Sequence, residues 1–205
     1  MPDTPEQPSS KGAQTRRAVL AAAIARFGRE GYRATSVADI ARDAGVGGTV
    51  PYAYFPNKEA LFLAALDEDA AAVINEGVAG MLAGAEREAW RTTLIVTLVA
   101  SVDGHPLARR VLAGLEPHVT SRMLDIPAMA ELRKAVAERI RADQLDGLVR
   151  HDIDPVAVGS GAVTVFVSLL MSVVQFGDEG ITSYGPDIVA LFAAVFDPPA
   201  VPSEG

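Results

Sequence analysis

No cysteine occurs anywhere in the chain. That excludes disulfide staples and thiolate chemistry and fits a reducing cytoplasm, where we expect the protein to work. Histidine is scarce too, with three in 205 residues, and no ligand-spaced partner stands beside His105 or His118. Neither a metal nor another cofactor is therefore expected. No phosphate-cradling glycine loop is present, and no nucleophile sits next to a base, which argues against a small helical enzyme. Cations are in deficit, 18 Lys and Arg against 26 Asp and Glu, for a net charge of −8. Such a chain is a poor general candidate for gripping phosphates, since that affinity comes from locally concentrated cations. Yet residues 1–60 carry a net +2 and the remainder −10, so the cations are gathered at one end.

What the chain does have is helical periodicity. Residues 1–13 hold Pro, Ser and acidic residues without an apolar run; we expect a disordered arm there and no secretory signal. Over residues 15–30, Val19, Leu20, Ala23, Ile24 and Phe27 recur at three- and four-residue spacing, predicting an amphipathic helix that Gly31 ends. Arg16 and Arg17 oppose the helix dipole at its start, which suits either solvated arginines or contacts to phosphate. Ser36 with Asp39 reads as a capping box that opens a helix over residues 37–44, and Gly45 supplies the sharp turn after it. A second helix, expected over 48–54, spans only two turns, too short to stand alone but the right size for a major groove. Pro56 and Asn57 close it. Lys58 then sits in the first turn of the next helix, where a DNA phosphate would draw both the free amides and the ammonium. The whole reads as a helix-turn-helix that grips duplex DNA.

Residues 16–66 resemble the DNA-binding domain of the TetR family of transcriptional repressors. Matching positions are the 27–31 stretch FGREG, Thr35, Ile40, Ala41, Ala44, Gly45, Val46, Tyr52, Tyr54, Phe55, Lys58, Leu61 and Phe62. The resemblance implies an all-α, TetR-like fold of about nine helices. An amino-terminal three-helix helix-turn-helix domain (14–60) would precede an effector-binding and dimerisation domain (61–197) and a flexible tail (198–205). It also implies DNA contacts from Arg17, Thr35, Ser36, Gly47, Gly48, Thr49, Tyr52, Ala53, Tyr54 and Lys58, with Thr35, Tyr52 and Lys58 as phosphate clamps. The chain departs from the family where Gly47, Gly48, Thr49 and Val50 replace the usual Ser or Thr, variable residue, Gly and Thr. Pro51 stands where an aliphatic residue packs. The reading helix is therefore expected to start late, near 48 or 49. Thr49 would be the main polar base reader and Ala53 a methyl contact to thymine; alternatively the glycines loosen the turn and DNA shape supplies the specificity.

Behind the reader, a helix from Lys58 towards Met81 links it to the body and, by the resemblance, carries the effector-driven swing of the reading heads. Further helices are expected over 86–102, 106–115, 127–146 and, after a cap at Asp154, from Pro155. Arg109 and Arg110 read as a solvated face or as partners of an anion. Candidate effector contacts are Trp90, His118, Met123, Phe166 and Met171, with plain core packing the alternative for Trp90. Residues 155–177 carry no charge, a length that could cross a membrane. Gly159, Ser160, Gly161, Thr164, Ser168, Ser172 and Gln175, with acidic flanks, argue for a buried helix and against a membrane-associated adaptor. Ser160, Thr164, Ser168 and Ser172 form a small, weakly polar stripe that admits a second helix closely. With a last helix over 186–196, including Leu191 and Val195, it matches the family's four-helix dimer interface. The expected protein is a homodimeric transcriptional regulator, a repressor released from a palindromic operator by a small hydrophobic or aromatic effector.

Overall fold

The computed structural model describes residues 9–83, 90–119 and 126–197; among these residues there are eight α-helices, one short 3-10 helix and no strand. The order is α1 (Ser9–Ala34), α2 (Val37–Asp43), the 3-10 helix (Val50–Ala53), α3 (Lys58–Ala83), α4 (Trp90–Val102), α5 (Pro106–Leu112), α6 (Pro127–Leu145), α7 (Pro155–Phe176) and α8 (Asp178–Phe196). The chain is all-α, as its periodicity predicts.

Helix α1 starts earlier than expected, at Ser9. The prolines that suggested a disordered arm, at 2, 5 and 8, all precede it, and residues 1–8 lie outside the described residues. Gly31 does interrupt the helical ladder, at φ 84° and ψ 170°, but one further turn follows it. Helix α8 begins at Asp178 and not near 186, so Pro186 lies inside it. One proline costs one ladder bond; burial of Phe192 and Phe196 against the body holds the helix beyond it.

Two hydrophobic cores result. The amino-terminal core gathers Val19, Leu20, Ala23 and Phe27 of α1, Val37 and Ile40 of α2, Phe55, and Leu61, Phe62, Ala65 and Leu66 from the first turns of α3. The larger body core takes Val73, Ile74 and Met81 from the rest of α3 and joins them to α4, α6, α7 and α8. Helix α5 belongs to both: Leu107 and Val111 sit in the first core, Ala108 and Leu112 in the second. Helix α7 is long and apolar enough to cross a membrane, yet Gly159, Ala162, Val163, Phe166, Leu169 and Leu170 are buried in the protein's own core. It packs against α6 and α8.

Candidate nucleic-acid interface and internal cavity

The turn between the two reader helices is built from local signals. Ser36 Oγ accepts the Asp39 backbone N–H at 3.1 Å and donates to the Asp39 carboxylate at 2.6 Å. The cap forms as read, but Asp39 returns its bond to the serine hydroxyl, not to the serine backbone. Helix α2 ends in a two-bond glycine cap: Val46 N–H reaches Ala41 O at 2.9 Å and Gly45 N–H reaches Arg42 O at 3.1 Å. Gly45 takes φ +68° there, a left-handed conformation that a side chain disfavours.

The reading segment differs from the expected α-helix over 48–54. It is a run of three-residue turns, with Val50 N–H on Gly47 O, Tyr52 N–H on Thr49 O and Tyr54 N–H on Pro51 O; its 3-10 helix spans only Val50–Ala53. Pro51 has no N–H to close a wider turn on Gly47, and its buried ring takes the place of the aliphatic plug. Gly47 and Gly48 do not have positive φ, and a Cβ on Gly48 would meet nothing within 4 Å. Neither glycine is there for the backbone's sake, so the tip is bare by composition.

Around that tip Ser36, Gly47, Gly48, Thr49, Tyr52 and Ala53 are exposed, as are Arg17 and Arg33 on α1. Tyr54 is half-buried, and its hydroxyl would stand 3.8 Å from a Cβ on Gly12, so the ring runs back towards the start of α1. Arg16 lies over the Phe55 ring at 5.3 Å, and Lys58 Nζ lies 4.5 Å from the centre of the Tyr32 ring. Thr35 corrects an expectation: it is 2 % exposed and its hydroxyl donates to Gly31 O at 2.8 Å, so that hydroxyl is not a phosphate clamp. Arg26 grips Asp43 through two bonds, at 2.6 and 3.0 Å, and also bonds Glu30. The bonds from Arg26 hold the Asp43 carboxyl below its usual range and staple α1 to α2.

Beneath the reader lies a cavity of about 60 Å³. Its walls are Leu66, Ala70, Val73 and Ile74 of α3, Leu98 of α4, Ala108, Val111 and Leu112 of α5, Ile126, Met129 and Leu132 at α6, and Val167 and Leu170 of α7. Among the described residues no polar side chain lines it. Of the five residues read as effector contacts, the four described ones, Trp90, His118, Phe166 and Met171, do not line it. Trp90 is buried and donates its indole N–H to Asp143 at 2.7 Å, which makes it an anchored core residue. Phe166 stacks edge-on with Phe192 at 5.0 Å, and Met171 packs against the body core away from the cavity. His118 lies 5.1 Å from the Tyr32 ring, at the joint with the reader. Met123 is outside the described residues. The described residues of the lining are ordinary apolar side chains, and no residue type in the sequence marks them out from other core positions.

On the far side of α7, Thr164 and Ser168 are exposed while Ser160 is half-buried. Tyr184, Val189 and Leu191 of α8 are large and exposed. Ser172 turns inward, its hydroxyl pressed towards Gly180, and Val195 leans on its own chain's core. Among the described residues no cluster of potential metal ligands occurs.

The model of the bacterial regulatory proteins, tetR family, matches residues 19–65. Residues 19–65 thus form a TetR-family reader domain. The TetR-like architecture extends over the rest of the chain as well. A TetR-family transcriptional regulator from Pectobacterium atrosepticum superposes with a TM-score of 0.75 at 17 % identity, over 95 % of this chain and all of its own. A TetR transcriptional regulator from Chloroflexus aurantiacus gives 0.65 at 20 % identity, covering 91 % of this chain and 98 % of its own. A gamma-butyrolactone receptor, ArpA-like, gives 0.52 at 22 % identity, over 92 % and 90 % of the two chains. No curated protein matches the sequence. The TetR-family reader makes the chain a DNA-binding transcriptional regulator.

Proposed function

We propose that the protein is a homodimeric repressor in the cytoplasm, which holds a palindromic operator until a small, uncharged, apolar molecule enters the cavity. The lining, apolar throughout its described residues, carries this reading. A charged or strongly polar guest would lose its water there and find no partner. The space admits a few water-sized groups as it stands, so an effector must be small or must push a wall aside. Exposed apolar residues on α8 beside the small-residue stripe of α7 support pairing of two chains across those helices. Two reading heads related by a two-fold axis would then meet half-sites one helical turn apart. Arg17, Ser36, Tyr52 and Lys58 would hold phosphates, and Thr49 and Ala53 would face base edges.

A duplex selected from a random pool, titrated with the protein in the presence of toluene or of benzoate, tests the effector class. Toluene should weaken duplex binding and benzoate should not. Equal effects of the two, or none from toluene, would refute the apolar-effector reading.

A further inference from the structure

His105 stands where α4 gives way to α5, with a carboxylate on each side of its ring. Nδ1 lies 2.9 Å from Asp69 Oδ1 and Nε2 lies 3.3 Å from Glu76 Oε1. The two acids are seven residues apart and so share one face of α3. An ionised carboxylate only accepts hydrogen bonds. A neutral imidazole has a single N–H, so it would turn a lone pair on one of the two acids; only the imidazolium donates to both.

Asp69 is held on its other side as well. It is buried, and its other oxygen accepts the Leu107 N–H at 2.9 Å and the Ala108 N–H at 2.8 Å. It thereby caps the amino end of α5, whose own N-cap residue, His105, makes no side-chain cap bond. Glu76 is half-exposed and held below its ordinary range by a bond from the Ser101 hydroxyl and then by His105. Burial pulls the His105 ring down, but its bonds to Asp69 and Glu76 outweigh that and leave it raised. Of the other charges at this corner, Asp103 is exposed and pairs with Arg109 of α5 at 3.2 Å. Helix α1 meets the corner through Gly28, whose added Cβ would lie 2.6 Å from Pro106 Cβ. Among the described residues no charged group of α1 bonds His105.

We propose that His105 is a proton-operated latch on α5: the protonated ring pins the start of the helix between Asp69 and Glu76, and loss of the proton releases it. Because the folded protein raises this histidine, the stabilisation is complete below about pH 6.5 and fades as pH rises through the raised value. Helix α5 carries Ala108, Val111 and Leu112 on the cavity and Leu107 in the reader's core. An open latch therefore loosens the cavity's hold on the reader. That consequence rests on the proposed effector relay; the latch itself does not.

Proton NMR of the full-length chain reads the ring, with His105, His118 and His151 assigned by single substitutions. Hydrogen exchange at the Leu107 and Ala108 amides reads the helix end. His105 should titrate above pH 6.5, and Glu76→Gln should lower that midpoint by about half a unit. After correction for base-catalysed intrinsic exchange, protection of the two amides should fall several-fold as pH passes the midpoint, and His105→Gln should abolish the step. A midpoint at or below 6.5, no step, or an equal step in His105→Gln overturns the latch. Duplex affinity over the same pH range separates the two ideas. An exchange step with no change in DNA binding or toluene response overturns the relay through α5, whereas absence of the step overturns the latch whatever the DNA does.

Discussion

Replacing Gly28 by alanine sets two effects of opposite sign against each other. Inside a helix such as α1 the change ordinarily stabilises by about 0.5–1 kcal/mol, because glycine loses more chain entropy on folding. Here the new Cβ would stand 2.6 Å from Pro106 Cβ, 2.8 Å from the Pro106 carbonyl carbon and 3.0 Å from the Leu107 nitrogen. These are ring and backbone atoms at the start of α5, a backbone that Asp69 ties to α3 through two hydrogen bonds, so they cannot rotate away. Overpacking a site that cannot yield costs about 1–3 kcal/mol. The clash therefore wins, and Gly28→Ala should destabilise by about 1 kcal/mol or somewhat more.

Gly77→Ala is the matched control. Its Cβ would meet Leu98 Cδ2 at 2.5 Å and Leu98 Cγ at 2.8 Å, but these are atoms of one rotatable side chain and not of backbone, and Leu98 borders the cavity. Leu98 can turn into the space, so this variant should cost clearly less and should blunt the toluene response. Urea unfolding at one fixed protein concentration, comparing midpoints at unchanged slope, measures both. A Gly28→Ala chain as stable as the parent, or a Gly77→Ala chain less stable than Gly28→Ala, would refute the reasoning.

Lys58→Ala should flatten the dependence of log affinity on log salt by about one unit, read by titrating a selected duplex at several salt concentrations. The ammonium gives up only an exposed-site contact with Tyr32, worth roughly 0.5–1 kcal/mol, so an unchanged slope would mean that it never reaches phosphate. Gly48→Arg should fold normally, given the open space and ordinary φ there, and should shift the sequences recovered from a random duplex pool; the same recovered sequences would show that the tip does not touch bases. Ser168→Leu adds bulk to an exposed position on α7 and should move sedimentation towards the monomer, whereas a tight dimer would place the pairing surface elsewhere.

The parts legible in the sequence are those fixed by neighbours along the chain. Ser36 with Asp39, Gly45 and Asp154 act within a few residues of themselves, and each caps or ends its helix as read. Pro127 and Pro155 each open a helix, where a missing N–H costs nothing. Pro186 has the same local signature but lies inside α8, because burial of Phe192 and Phe196 further along decides how far that helix runs. The cavity was illegible for a related reason. Aromatic and polar residues look like binding groups in a sequence, but Trp90 finds its partner 53 residues away in Asp143, and His118 is drawn to Tyr32. Only the three-dimensional packing tells which aliphatic residues leave a gap.

A ligand that fitted the cavity as it stands, equally well in both states of the protein, would shift no equilibrium; it must favour one state by its contacts. A guest that overfills the cavity must displace a wall, and the walls differ in how firmly they are held. Helices α3 and α7 run for 26 and 22 residues and each packs against several neighbours. Helix α5 has seven residues, and two of its first amides are held by Asp69. Short helices depend on packing and capping for their stability, so α5, rigid while Asp69 holds its start, is the wall that moves once that hold is lost. Its other side carries Leu107 in the reader's core and Pro106 against Gly28. A guest that pushes this wall therefore pushes on α1, and α1 is stapled through Arg26 and Asp43 to the helix that supports the reading tip.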